Sequence, residues 1–370
     1  MTGLLPHFRF PVTPDVSWLL DAAGRMLDGA VLGRDVAEIN PPLILRMKQL
    51  VVAGARMAGV HPERAWTATT LLLTILSSWL AARCVGRSES WRAWPVWLVA
   101  AVPCVLLLLI PRQDFGQREH LAVILVLPFL ALRGARDVRP PPSAGSALAF
   151  GAAAGVGFCL KPFFLLVPLL LFTADARRLS VATALRHPEW LAVAAVPLLY
   201  AVSVIVWARE WLAYAIAHAP LYRAYLDAPL WLVPLLGEGA YAGWVFLAGW
   251  LALRRAPAAH APLLDTLGLS TAGFQLAAVV QGKGWTYHFL PAALLGSLAT
   301  VLLAHRIRDG RLPARILVAG MLATSAVLAG RGIIDGLRAA AGRDVRRGHL
   351  DPNLAALTAE LRSLGGSTSV

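Results

Sequence analysis

Ten stretches of this chain are almost wholly apolar: residues 65–84, 95–110, 120–132, 146–159, 162–173, 189–207, 230–253, 263–281, 289–305 and 313–331. A helix needs about 20 apolar residues to cross a bilayer, and fewer when it is embedded among other helices. The pattern therefore predicts an all-α polytopic transmembrane helix bundle of about ten spanning or embedded helices. Two of these segments, 146–159 and 162–173, meet at Lys161-Pro162, and neither would cross a bilayer untilted. Proline removes a backbone donor, which is tolerated at depth only where protein or a watery cavity satisfies the freed groups. Interrupted helices of this kind often border a site.

Two further segments have polar and apolar positions interleaved. Residues 42–59, PLILRMKQLVVAGARMAG, repeat apolar residues at helical spacing, with Arg46, Lys48, Gln49 and Arg56 on the rest of the turn. This predicts an amphipathic helix lying in the membrane interface, within the first outer loop. Residues 209–227 are rich in Trp and Tyr, which favour the headgroup level. The chain reads as one membrane domain over 1–332, with 1–64 as an outer loop, followed by a tail at 333–370.

Composition agrees with the pattern. Hydrophobic residues make up 58% and charged residues 15%, against about a quarter charged in ordinary soluble domains. The net charge of +13 has two readings, a nucleic-acid partner or arginine-rich cytoplasmic loops. Distribution decides between them. One set of loops holds Arg87 and Arg92; Arg133, Arg136 and Arg139; Arg177, Arg178 and Arg186; Arg254 and Arg255; and Arg306, Arg308, Arg311 and Arg315. The alternate set, 111–119, the Lys161 break, 208–229 and 282–288, has few cations, most with acids nearby. The first set belongs in the cytoplasm and the second outside, and no nucleic-acid partner is expected. The tail, with Arg338, Arg343, Arg346 and Arg347, falls outside by helix count, against the same rule. Cys84, Cys104 and Cys159 lie in or beside apolar runs without ligand spacing, so neither a disulfide framework nor a zinc site is expected.

Four polar clusters fall in or beside the outer connections. The first supplies Asp15, Asp35 and Glu38, then Asn40-Pro41-Pro42. Such carboxylates act as general bases when burial or a neighbouring charge tunes them; the plainer reading is a solvated loop, with Asp15 as a helix N-cap. The second is PRQDFGQREHL at 111–121, where Arg118, Glu119 and His120 are consecutive. Consecutive helical residues diverge by about 100°, so the three cannot share one ligand. Glu119 is expected to face the site and Arg118 a phosphate or an acid of the first cluster. The third is Lys161, flanked by apolar residues and costly at membrane depth unless functional or snorkelling. The fourth is QGKGWTYHFLP at 281–291, where Gly282 and Gly284 leave the Lys283 backbone accessible and Trp285, Tyr287 and His288 offer stacking and donor groups. No P-loop, GxSxG, HExxH or CxxC is present.

An acidic first outer loop, Asp15…GRDVAEINPPL, followed by an interfacial helix and hydrophobic spans, resembles the GT-C class of polytopic glycosyltransferases. That class includes protein O-mannosyltransferases and the transferases that add aminoarabinose to lipid A. The likeness is strongest over 15–60, extends through 114–121, and is only architectural beyond. It implies transfer of a hexose or pentose from a polyprenyl-phosphate-linked donor to the hydroxyl of an unidentified acceptor, a glycan, a lipid or a protein. The location implied is the extracytoplasmic face of a bacterial inner (plasma) membrane. Carried over residue by residue, Asp15 matches the catalytic acid that opens the loop, as a lone Asp where the family has an acidic pair. Asp35, with Glu38 beside it, matches a second acid, and Glu119, with Arg118 adjacent, matches the acid of the second loop. Lys161 and Lys283 are the candidate phosphate-binding cations. Substrate contacts are expected from Arg118, His120, Lys161, Lys283, Tyr287 and His288. No cofactor is required; a divalent metal shared by Asp15, Asp35 and Glu38 fits their chemistry but is not demanded by their spacing. The resemblance also implies a membrane helix before the acidic loop, and residues 1–14 are too few and too rich in proline to supply it, so either the start is truncated or that first helix is absent. Two other classes compete. A transporter or flippase of an anionic lipid-linked substrate predicts a polar track through to the cytoplasmic side, which the spans lack, and a scaffold leaves the clustering of acids and cations as coincidence.

Overall fold

The structure is a computed structural model that describes residues 13–86, 96–135, 143–224, 233, 237–254, 262–283, 285–306 and 312–340. Its helices are α1 (Pro14–Leu27), α2 (Pro42–Met57), α3 (Pro62–Val85), α4 (Val96–Leu109), α5 (Arg118–Gly134), α6 (Ala144–Cys159), α7 (Leu166–Leu179), α8 (Val181–Leu185), α9 (Pro188–Trp207), α10 (Arg209–Ala224), α11 (Gly237–Leu253), α12 (Pro262–Gln281), α13 (Leu290–Arg306) and α14 (Leu312–Ala340). Short 3-10 turns lie at Arg112–Asp114, Pro162–Leu165 and Thr286–Phe289. Among the described residues there is no strand, only an isolated bridge between Leu32 and Val36.

Helix starts follow local chemistry. Proline opens α1, α2, α3, α9 and α12, where its missing N–H is one the helix leaves unpaired anyway. Thr13, not Asp15, caps α1, its hydroxyl accepting from the Val16 N–H at 3.4 Å. Asp15 lies in the first turn instead.

Over its described residues, each of the ten apolar segments carries a helix. Five of the helical stretches are long and apolar enough to cross a membrane, Pro62–Val85, Pro188–Trp207, Pro262–Gln281, Thr286–His305 and Pro313–Asp335, and this marks an integral membrane protein. Residues 99–109, 144–159 and 240–253 are apolar but shorter, so five helices meet the full length where about ten were expected.

Helix α5 is the axis of the bundle. It packs against α3, α6, α12 and α13, and every residue along it but Leu125 is buried. Close packing of α6 on α9 depends on Gly151 and Gly155, spaced four apart: a Cβ on Gly151 would sit 2.3 Å from the Glu189 carbonyl oxygen. Without a hydrophobic drive between helices in lipid, small residues at such contacts let backbones approach. Outward faces are apolar instead, with Leu198, Leu199 and Trp207 of α9 and Leu72 and Ile75 of α3 exposed.

The interfacial segment is helical as expected, but its polar face differs. Lys48 and Gln49 of α2 are buried, while Leu50 and Met57 are exposed. The Lys48 ammonium sits 3.8 Å over the Trp66 ring and donates to the Val16 carbonyl at 3.4 Å. Burial, then the charge of Arg118, holds its proton affinity well below the usual lysine range, with Glu63 acting the other way.

At one end of α5, Arg133 is not a headgroup arginine. It makes two hydrogen bonds to the Asp175 carboxylate, at 2.7 and 3.2 Å, and a third to the Thr266 hydroxyl at 2.5 Å. Trp190 donates to the same carboxylate at 2.9 Å. At the other end, Arg112 pairs with Asp335 of α14 at 2.5 Å, and Gly332 packs on the Leu109 carbonyl. That ion pair brings α14 to the same face as the 110–117 loop, the side that helix count assigns to the chain after 331. Residues after 340, most of the tail, lie outside the described residues. So do Arg87, Arg92, Arg136, Arg139, Arg255, Arg308 and Arg311 of the arginine-rich loops.

Candidate functional site

The chain turns through extended backbone at Lys161, between the end of α6 and the 3-10 turn that Pro162 opens. The break aims the lysine inward rather than along a helix face. Its ammonium pairs with the Glu119 carboxylate from the first turn of α5. It also donates to Gln281 Oε1 at 2.9 Å, from the last residue of α12. Three elements distant in sequence thus converge on one buried amine.

Glu119 is wholly buried. One carboxylate oxygen takes Lys161 and lies 3.9 Å from His288 Nε2; the other has no hydrogen-bond partner among the described residues. Neither ring nitrogen of His288 has one there either. A buried polar atom without a partner is unusual and calls for an explanation, such as a ligand that completes it.

Around this pair stand the other expected groups. Tyr287 lies 5.5 Å beneath the Lys161 ammonium and edge-on to His288, with ring centroids 4.5 Å apart. Gly282, at φ +68°, turns the chain after α12 so that Lys283 points inward, a backbone state that side chains disfavour. Lys283 is therefore fully buried, 6.0 Å from the Trp285 ring, rather than accessible. Arg118 donates to the Asn40 side-chain carbonyl of the first loop, an amide where a carboxylate was expected. His120 turns away: its Nδ1 accepts from the Gly116 N–H at 3.1 Å, and its ring lies against Phe115. The divergence of Arg118, Glu119 and His120 is thus observed, and His120 supports the loop.

The first-loop acids separate. Asp35 is exposed and held in a turn by Arg34 at 3.0 Å and by the Val31 N–H at 2.8 Å, which together lower its proton affinity. Glu38 is buried, accepting from Trp18 Nε1 at 2.5 Å and the Asn40 N–H at 2.6 Å, so it sets the Asn40 turn that meets Arg118. Asp15 is exposed, yet its charge acts on Asp114 and on Lys161, which places it at the rim of the cluster. No group of three or more His, Cys, Asp or Glu among the described residues is arranged to hold a metal ion.

Sequence reading missed Asp114, Gln281 and Gln117. Gln117 joins the two loops, its amide donating to Thr13 Oγ1 at 3.3 Å and to Asp114 Oδ1 at 3.2 Å. The Asp114 carboxyl is pushed up to about 7, first by burial and then by the charges of Glu119 and Asp15, against the pull of Arg112 and the Gln117 hydrogen bond. The sequence signal was an acid five residues before Glu119, masked by Arg112 two residues earlier, which seemed to neutralise it.

Two apolar clefts lie along α5. One is lined by Val123, Leu127, Leu294 and Leu298, and Val123 stands one helical turn from Glu119. The other shares Pro103, Leu127 and Leu298 with it and continues to Ala131, Leu263 and Val85.

No protein-family model, curated protein or solved structure matches the chain. The functional reading therefore rests on the site.

Proposed function

We propose that the protein transfers a sugar from a polyprenyl-phosphate-linked donor to an acceptor hydroxyl, at the membrane face that carries Glu119 and Lys161. The observation that carries this reading is the buried Glu119–Lys161 pair, with His288, Arg118 and Lys283 around it, on a helix whose flank one turn further on lines apolar clefts. Such a site suits a substrate with an anionic head and a long apolar tail. Lys161, Lys283 and Arg118 neutralise the phosphate as it departs, a role in which preorganised groups are typically worth a few kcal/mol. Asp15, Asp114 and Glu119 supply the acids around the reacting hydroxyl. In this reading the chain has about ten spanning or embedded helices, lies in a bacterial inner membrane, and works on its extracytoplasmic face.

Transport of the same class of substrate is the second reading, and the interior bears on it. Buried hydroxyls do run along α12, at Thr266, Ser270 and Thr271, but each donates to a carbonyl four residues back in its own helix. Those protons are committed and offer a passing anion no donor, which favours transfer.

The test is release of undecaprenyl phosphate from a panel of undecaprenyl-phosphate-linked hexoses and pentoses by protein in nanodiscs. Turnover that falls at least about a hundredfold in Glu119→Gln and Lys161→Met supports the reading. Movement of intact donor across a vesicle bilayer with no phosphate released sinks it in favour of transport.

A further inference from the structure

The resemblance assigns proton removal to Asp15, but the geometry favours a different acid. Asp15 is exposed at the start of α1. Glu119 is paired with Lys161. Asp114, half-buried at the end of a 3-10 turn, is close enough to both for their charges to act on it. The Gln117 amide ties its Oδ1 to the Thr13 cap of the helix that carries Asp15.

The cation nearest in sequence, Arg112, is turned away. Its backbone adopts φ +53°, a left-handed conformation costly for a side chain, and its guanidinium is held by Asp335 at 2.5 Å. The loop is pinned as well by Trp66 Nε1, which donates to the Gly116 carbonyl at 3.1 Å. Strain of this kind persists only where the surroundings hold it, and here the holder is an acid 223 residues further along the chain.

We infer that Asp114 is the proton acceptor of this site, and that Asp335 is a positioning residue which keeps Arg112 off it. This rests on the transfer reading above. In the step, the acceptor O–H proton passes to the Asp114 carboxylate while the acceptor oxygen forms a bond to the anomeric carbon. The bond from that carbon to the phosphate oxygen breaks, its electron pair leaves on the polyprenyl phosphate, and Asp114 later returns the proton to water at the rim. A carboxyl that titrates near neutrality is matched to that task. Because a base acts when ionised, turnover is present above about pH 7 and falls as pH drops through that value. Releasing Arg112 favours the charged form and moves the fall to lower pH.

Two measurements on full-length protein in nanodiscs test this. The first is donor turnover, with the sugar panel above, in Asp114→Asn, Asp15→Asn and Asp335→Asn. The expected result is a loss of about a hundredfold or more in Asp114→Asn and of about tenfold or less in Asp15→Asn. Asp335→Asn should keep its turnover at pH 8.5 and show an acid limb displaced to lower pH. The second is labelling by dicyclohexylcarbodiimide, which reacts with protonated carboxyls in apolar surroundings, read by mass spectrometry of the Asp114 peptide. Labelling should be present at pH 6, fade through about pH 7, and fade at lower pH in Asp335→Asn. An Asp114 peptide that stays unlabelled at pH 6, or whose titration Asp335→Asn leaves unmoved, overturns the inference whatever the donors do, as does near-normal turnover in Asp114→Asn. Absence of turnover with every donor in wild type, beside the expected labelling, overturns the transfer reading and the catalytic role while leaving the proton site standing.

Discussion

At the scale of single residues, the cost of charge in an apolar interior decides what each side chain does. Lys161 is 5% exposed and Glu119 wholly buried, so each keeps the other tolerable. Removing one partner from a buried pair strands the other, at a cost of about 3–5 kcal/mol. Lys161→Met alone should therefore unfold in detergent several degrees earlier than Lys161→Met with Glu119→Gln, and equal melting of the two would show that the pair does not govern stability. Asp114 gives a pH-dependent counterpart. Its folded proton affinity is raised, so its neutral form is the stabilised one: the contribution is whole below the unfolded carboxylate value of 3.8, falls away as pH rises to about 7, and is constant above that. Asp114→Asn should raise the melting temperature by about 2–4 °C at pH 8.5, by less at pH 5 and hardly at pH 3, checked by a pH series of melts. Much of this chemistry was legible in the chain. Lys161 stood out because apolar residues flank it on both sides, and Glu119 because helical geometry forces Arg118 and His120 to other directions. Asp335 was not legible as a partner of Arg112, since 223 residues separate them and nothing local ties one to the other.

Elements show the same division between what is local and what is not. The break at Lys161-Pro162 could be read directly, because proline's missing donor acts within one turn. Replacing Pro162 with Ala restores that donor; the expected result is a longer helix through the break, loss of turnover as Lys161 rotates from Glu119, and an earlier melt because the buried acid is stranded, measured by donor assay beside thermal unfolding. The seam between α6 and α9 also has a sequence mark, small residues four apart, but its partner face has none. Leucine at Gly151 must displace the Glu189 backbone, which stands within 2.3 Å of the new Cβ position. That variant should lose most folded protein on size-exclusion chromatography, whereas leucine at Gly145, with open space around it, should not. The α2 segment misled in one respect. Its charged positions suggested a polar face, yet Lys48 is drawn inward by the Trp66 ring and the Val16 carbonyl, both contributed by other helices.

For the whole molecule, alternation of arginine-poor and arginine-rich connections carries a geometric statement that the fold repeats. Glu119 and Arg133 lie 14 residues apart on α5, about 21 Å at helical rise, with the acid–lysine cluster at one end and Asp175 at the other. In a background with Cys84, Cys104 and Cys159 replaced, a cysteine at exposed Gln113 should be labelled by an impermeant maleimide from one side of sealed vesicles. A cysteine at exposed Arg177 should be labelled only after lysis. Labelling of both from the same side would overturn the sidedness on which the proposed function depends.

The Arg133–Asp175 contact has a mechanical consequence. With Trp190 and Thr266 it fastens four helices where no hydrogen-bonding group of the carboxylate or guanidinium needs a substrate. A bundle bolted at one rim and held at the other by a break, a strained loop and the Arg112–Asp335 and Lys161–Glu119 pairs resembles a clothes-peg. If the proposed long-tailed substrate is the guest, its admission requires the jaws to part around Lys161 while the spring at Arg133 stays shut.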